Sequence, residues 1–293
     1  MSLGGGILLI QNFYDKETGT HSYVVFDSET RDAVVIDPVW NYNHFTATLT
    51  QGSVDEILGF VSAHSLNPIW VLETHIHADH ISASQIVIRE HPNCRLGIGE
   101  KVKDVQENFN RLLGLEGEAR GHERHFDQLF RDGEDFSAGS LKIRTLHLPG
   151  HTPACLGYLI GNSIFLGDVI FMPDAGTGRC DFPGGSSRTL YSSISQKLYK
   201  LPDSTNVYVG HDYGPNGREI RFHTTVGDLK NSNIHLKSGT TENEFVKFRE
   251  DRDSTLEPPK LIHASLQFNL RGGRLPPPNS KGVRHVVLPI SIK

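Results

Sequence analysis

Ile69-Trp70-Val71-Leu72-Glu73-Thr74-His75-Ile76-His77-Ala78-Asp79-His80 places four metal-binding side chains within six positions, directly after a run of apolar residues. The run 69–72 predicts a buried strand. In the loop that follows, residues two apart can point to one side, and a turn brings the next pair round. Imidazole and carboxylate together suit a borderline divalent ion such as zinc or iron(II). Clustered His and Asp are costly in a core unless something pairs with them. Capping of a helix near residue 81 would account for Asp79 alone. A hydrogen-bonded core histidine would account for His75 or His77 singly, but not for the set.

Three pieces downstream complete a candidate site. Leu148-Pro149-Gly150-His151-Thr152-Pro153 puts a His in a Pro/Gly turn after a strand, Leu166-Gly167-Asp168 puts an Asp at a strand end, and Val209-Gly210-His211-Asp212-Tyr213 puts a His after another. Each donor sits where a strand stops, which is how loops on a rigid scaffold converge on one site.

Outward from these motifs, the runs 23–26 and 33–36 read as a hairpin after a first short run at 7–11. Residues 53–66 show helical spacing with Ser53 as N-cap. Helices are predicted over 82–89 and 101–115, with a strand at 95–98 between them. The second half repeats the order: strands at 141–148, 158–160, 164–166 and 206–209, and helices at 189–201, 218–230 and 242–252. Ser186-Ser187 is expected to cap the first of these helices. Two halves of strands followed by helices predict an α/β fold of two stacked sheets with helices outside. The catalytic domain is expected to span 1–255. The Pro/Gly-rich stretch 256–293 is expected to be an extension, packed on it or partly loose.

The chain has 293 residues, 37 % hydrophobic and 22 % charged, so a packed core is expected. Its net charge of −5 does not attract a phosphate backbone, and no nucleic-acid partner is expected. Three cysteines, Cys94, Cys155 and Cys180, form no C-x-x-C pair and no closed disulfide framework, which points to a reducing, cytoplasmic setting. No signal peptide and no run of about 20 apolar residues is visible, so no membrane partner is expected. His122-Glu123-Arg124-His125 is one residue short of the H-E-x-x-H zinc helix and reads as a solvated segment.

The pattern His75-x-His77-x-Asp79-His80, then His151, Asp168 and His211, resembles the metallo-β-lactamase superfamily over roughly residues 7–213. The resemblance implies an αββα sandwich with the metal at the edge between the sheets. A narrower likeness lies in Gly178-Arg179-Cys180-Asp181-Phe182-Pro183-Gly184-Gly185, which resembles the G-R-x-D-F element of persulfide dioxygenases related to the ethylmalonic-encephalopathy protein. Thr189-Leu190-Tyr191-x-Ser193, His211-Asp212-Tyr213 and Pro258-Pro259-Lys260-x-Ile262 are similar to that group as well. The related glyoxalase II enzymes carry a Phe-Phe-Glu-Gly run that this chain lacks. Some persulfide dioxygenases have a Cys two residues before the Arg, where this chain has Thr177.

That narrower resemblance implies one iron(II) per chain on His75, His151 and Asp168, with open positions for a persulfide and dioxygen. His77, Asp79, His80 and His211 would orient ligands, move protons as catalytic groups (Asp79, His80, His211) or hold a second metal. Arg179, Asp181, Tyr213 and Thr152 would contact the substrate. The implied reaction converts glutathione persulfide, O2 and water to glutathione and sulfite. The alternative is a glyoxalase II-like thioester hydrolase with one or two zinc ions, for which His75, His77, His151, Asp79, His80 and His211 with bridging Asp168 supply a full donor set. A β-lactamase, a nuclease and a non-catalytic sulfur-responsive module fit the sequence less well. A homodimer is compatible with all of these readings.

Overall fold

The computed structural model describes residues 6–114 and 125–290. Of the His122–His125 segment, only His125 lies within the described residues. Two six-stranded sheets form the centre. In the first, β1 (Leu8–Asp15), β2 (Thr20–Asp27) and β3 (Asp32–Ile36) run antiparallel, then β6 (Asn67–Leu72), β8 (Arg95–Gly99) and β9 (Gln128–Phe130) continue in parallel. The second holds β10 (Asp135–Ala138), β11 (Leu141–His147), β12 (Leu156–Ile160), β13 (Ser163–Phe165), β14 (Asn206–Tyr208) and β15 (His223–Thr225) in that order. A small third sheet joins β4 (Val39–Asn43), β5 (Thr48–Thr50) and β7 (Ile81–Ser82).

The period-2 pleat explains the layers. Tyr23, Val25, Val34, Ile36, Trp70 and Leu72 point between the sheets and meet Ile143, Tyr158 and Phe165 of the second sheet. Their neighbours Val24, Val35 and Val71 point outward, under α1 (Gly52–Ala63), α2 (Ser84–Glu90) and α3 (Val102–Leu113). On the far side α4 (Ser187–Gln196), α5 (Val226–Ser232) and α6 (Glu242–Asp253) cover the second sheet. Strands buried on both faces read as continuous apolar runs, which is why 69–72 shows no alternation.

Local chemistry moves several expected boundaries. Ser53 does not cap α1; its hydroxyl donates to Asp15 Oδ1, and the helix starts one residue earlier. Ser186 does cap α4, accepting from the Thr189 N–H. The helix expected at 218–230 forms only from Val226. Gly214 and Gly217 sit at positive φ, the Arg218 guanidinium is held by Asp174 and Asp212, and His223–Thr225 pairs with β14 instead.

The stretch beyond 256 contains a helix, α7 (Ile262–Asn269), whose Leu266 joins the first outer core. Its last residue, Asn269, donates through Nδ2 to the carbonyls of His77 (2.9 Å) and His80 (2.8 Å), and accepts the Ser82 N–H (2.8 Å). Three buried backbone groups of the 77–82 loop depend on this one amide. Replacing Asn269 with Ala leaves them unpaired at about 1–3 kcal/mol each. The expected result is a lowered urea midpoint with an unchanged m-value; an unchanged midpoint would show that water replaces the amide.

Candidate metal centre

The loops at the C-terminal ends of β3, β6, β13 and β14 and the turn from β11 to β12 meet at one edge of the sandwich and carry all seven expected donors. His75, His77, His80, His151 and His211 are each buried. The ligand atoms of His75, His151 and Asp168 lie within 4.8 Å of one another, as do those of His77, Asp79 and His80. His211 Nε2 stands 3.3 Å from both Asp79 Oδ2 and Asp168 Oδ1, and His151 Nε2 stands 3.6 Å from Asp168 Oδ2. The two oxygens of Asp168 therefore face different imidazoles.

Outer partners set which nitrogen of each ring is bare. Thr74 Oγ1 donates to Asp37 Oδ2, so it can only accept from His75 Nδ1–H at 3.0 Å; Nε2 is left with a lone pair. His151 Nδ1–H donates to the Arg179 carbonyl at 2.7 Å, which leaves Nε2 for the centre. His77 is turned the other way: Nε2 lies 3.1 Å from both Asp37 Oδ1 and Glu73 Oε2, and Nδ1 is bare. Glu73 in turn accepts from the hydroxyls of Ser82 and Ser84. His75 Nε2, His77 Nδ1, His80 Nε2 and Asp168 Oδ1 are buried without a hydrogen-bond partner. Four such atoms at one point are expensive unless a cation takes them. The donor set fits a divalent metal, with carboxylates and carbonyls orienting the rings from behind.

The electrostatics separate the rings: His75 is kept neutral, whereas His77 holds a proton that a cation at Nδ1 would displace. Burial, then the neighbouring His77 and His151, push the His75 pKa well below its ordinary value, which keeps its lone pair available. Burial opposes charge on His77, but Asp37 and Glu73 outweigh it and raise its pKa well above the ordinary value. Burial likewise opposes charge on Asp79, and His211 and His80 overcome it to hold the carboxyl well below the usual range.

Glycines make room for this packing. A Cβ on Gly167 would collide with Thr74 Oγ1 and the His75 ring, and one on Gly178 with the Asp168 carbonyl.

The centre opens into a cavity of about 730 Å³ whose walls include Asp79, His151, Asp168, Phe182 and Tyr213. Tyr213 stacks on His211 with 5.8 Å between ring centroids. The other expected substrate contacts are placed differently. Thr152 is buried, off the cavity wall, and its hydroxyl serves its own turn with Cys155 Sγ and the Ala154 N–H. Arg179 reaches the cavity, but Asp181 fills its fork at 2.7 and 2.6 Å, and the Glu257 carbonyl takes Nη1 at 2.8 Å. The pair ties the 178–182 loop to the segment after α6 rather than presenting an open clamp.

Sequence reasoning missed Asp37 and Glu73. Asp37-Pro38 reads as a strand terminator, and the only signal for either was a carboxylate beside a strand that ends at the site. All three cysteines are free and buried, and burial pushes the thiols of Cys94 and Cys155 up to about 12. They are inert as nucleophiles. Among the described residues no helix is long and apolar enough to cross a membrane.

The metallo-beta-lactamase superfamily model matches residues 15–211. The chain belongs to this superfamily. Its fold is that of the family, an α/β sandwich of two sheets with helices outside, and it is a metal-site enzyme of that family. It is 41 % identical to Glyoxylase B2 of Dictyostelium discoideum over 96 % of this chain and 97 % of the relative. It is also 41 % identical to a probable metallo-hydrolase of Burkholderia pseudomallei, over 97 % and 99 % of the two chains. Mouse mitochondrial persulfide dioxygenase ETHE1 is 28 % identical over 95 % of this chain and 94 % of its own length. The crystal structure of ETHE1 from Myxococcus xanthus superposes with a TM-score of 0.73 at 30 % identity, covering 91 % of this chain and all of that one.

A histidine on the cavity wall supplies a pH test. His235 Nδ1 accepts the Thr177 N–H at 2.9 Å, and burial, then Arg249 and Arg252, lower its pKa from 6.5 to about 4. Between those values the unfolded chain takes up a proton that the folded chain refuses, so stability falls as pH drops from 6.5 toward 4 and is whole above 6.5. His235→Gln is expected to flatten the fall of the denaturation midpoint across that window. An unaltered slope would assign the acid sensitivity elsewhere.

Proposed function

We propose that the chain is a two-metal hydrolase of small-thiol thioesters, similar to glyoxalase II. The observation that carries this reading is Asp168, whose Oδ1 lies toward His211 and Oδ2 toward His151 at 3.3 and 3.6 Å, as a bridging carboxylate would. His75, His77 and His151 would hold one ion, and Asp79, His80 and His211 the other. Bound divalent metal would supply Lewis-acid polarisation and a hydroxide at neutral pH.

The chain's own groups do the rest. The cavity has the size of a small-molecule site, and Phe171, Phe182 and Tyr213 give it apolar walls for a thioester. Asp79 Oδ2, 3.3 Å from both His80 Nδ1 and His211 Nε2, is placed to take the proton of the attacking water. Water adds across the C–S bond: the oxygen goes to the carbonyl carbon, the C–S electron pair leaves on sulfur, and the proton passes to that thiolate. The identity to a glyoxylase and to a probable metallo-hydrolase supports hydrolysis over oxidation.

A second reading, persulfide dioxygenase with a single iron, is favoured by one specific observation. The Gly178–Phe182 element lies on the cavity through Arg179 and Phe182, and the ETHE1 likeness extends over nine-tenths of the chain. The same donors serve both readings, so metal count and chemistry separate them. The hydrolase is expected to carry about two ions per chain and to release thiol from lactoylglutathione, and Asp79→Asn to cut kcat by roughly 10²–10⁴-fold. One iron per chain, with oxygen uptake and sulfite formation from glutathione persulfide, would establish the dioxygenase instead.

A further inference from the structure

The His211 ring is braced on two sides. It stacks on Tyr213 of its own turn, and it meets the Phe171 ring at 82° with 6.2 Å between centroids. Phe171 belongs to a different loop, the stretch 169–178 that starts directly after Asp168. That loop is closed as a small hairpin by its own backbone. The Phe171 N–H donates to the Gly176 carbonyl at 2.9 Å, the Gly176 N–H donates to the Met172 carbonyl at 3.1 Å, and Ile170 pairs with Thr177. Asp174 stands at its tip. Two separate loops thus meet where Asp168 Oδ1 faces His211 Nε2 at 3.3 Å.

One guanidinium joins them. Arg218 Nε and Nη2 donate to the two oxygens of Asp174 at 2.5 and 2.6 Å. Nη1 and Nη2 donate to the two oxygens of Asp212, the residue after His211, at 2.5 and 2.8 Å. Nη1 also donates to the Glu219 carbonyl at 2.8 Å, so all five N–H groups are committed. The sequence Gly214-Pro215-Asn216-Gly217 delivers Arg218 to this place. Gly214, Asn216 and Gly217 all take positive φ, and a Cβ on Gly214 would lie 2.6 Å from the Arg218 carbonyl oxygen. Asp212 is fully buried and accepts the Arg221 N–H as well, whereas the Asp174 side chain is 44 % exposed. Without the guanidinium two carboxylates would face each other, and the buried one could not turn to water. Their repulsion would push the hairpin tip away. A lysine keeps the charge but cannot fork to both carboxylates.

We infer that Arg218 is a positioning residue of the metal centre: by clamping the 169–178 hairpin to Asp212 it holds Phe171 against His211 and keeps His211 at the spacing from Asp168 that a shared cation needs. This deepens the reading of two ions bridged by Asp168 and rests on it. The ion on Asp79, His80 and His211 has a ligand beside the clamp. The ion on His75, His77 and His151 does not. Loss of the clamp therefore acts on one ion selectively. Arg218 acts through His211 and not on the substrate.

The test is release of zinc from the zinc-loaded, full-length protein to a colour-forming chelator, which needs no turnover. His211→Ala identifies the two ions, since the one it loses is the one beside the clamp. Arg218→Lys and Asp174→Ala are each expected to weaken that ion by about tenfold and to leave the other within about twofold of wild type. Asp174→Glu, which restores a carboxylate for the fork, is expected to recover most of the loss. Asp174 is exposed, so its variants keep the test alive if Arg218→Lys does not fold. Equal weakening of both ions, weakening of the ion that survives in His211→Ala, no weakening in either variant, or no recovery in Asp174→Glu overturns the inference. The number of ions in wild type is read separately. A single ion that both substitutions weaken about tenfold removes the two-metal reading and leaves Arg218 as the residue that spaces Asp168 from His211. A single ion that neither substitution moves overturns both.

Discussion

The carboxylate of Asp37 holds the centre together. It ends β3 at a φ of +47° and reaches across to the loop after β6. Oδ1 accepts the Thr74 N–H at 2.8 Å and faces His77 Nε2 at 3.1 Å, while Oδ2 accepts the Thr74 hydroxyl at 2.7 Å. Burial pushes its carboxyl up, but His77 and the Thr74 donors win and hold it below the usual value. Through Thr74 it fixes the tautomer of His75, and directly it fixes that of His77. One buried anion thus aims two imidazoles, in opposite senses, at the same space. Without it both rings would be free to spend their lone pairs on internal hydrogen bonds.

Glu73 repeats the device one layer out. Two serine hydroxyls satisfy one of its oxygens, and the other backs His77. Ser82 belongs to the small third sheet and Ser84 begins α2, so the packing of those elements is felt at the His77 ring of the candidate metal centre. Rigid elements hold the donors, and the loops between them have little freedom to rearrange.

The centre was legible in the sequence because its chemistry is local: His75, His77, Asp79 and His80 fall within six positions of one loop, and His151, Asp168 and His211 each follow an apolar run. The sandwich was legible from the same runs. What escaped is non-local. Asp37 sits 40 residues from His77 and looks like a turn residue until the sheet brings it across. A helix was expected over 218–230, but two glycines at positive φ just before it and the capture of Arg218 by two aspartates delay it to Val226. Arg179 was expected to greet a substrate, and proximity to Asp181 two residues on commits it to its own chain instead. The helix at 262–269 hid inside a stretch whose prolines and glycines dominate its composition.

Asn269 gives the chain a temporal order. Translation delivers the loop of residues 75–80 first, and the amide that pairs its carbonyls follows 192 residues after His77 and 189 after His80. Domains acquire structure from the N-terminal side while still being made. The nascent sandwich therefore holds this loop unlatched until α7 has emerged and docked. A chain cut short before residue 269 would be left with that loop poorly fastened.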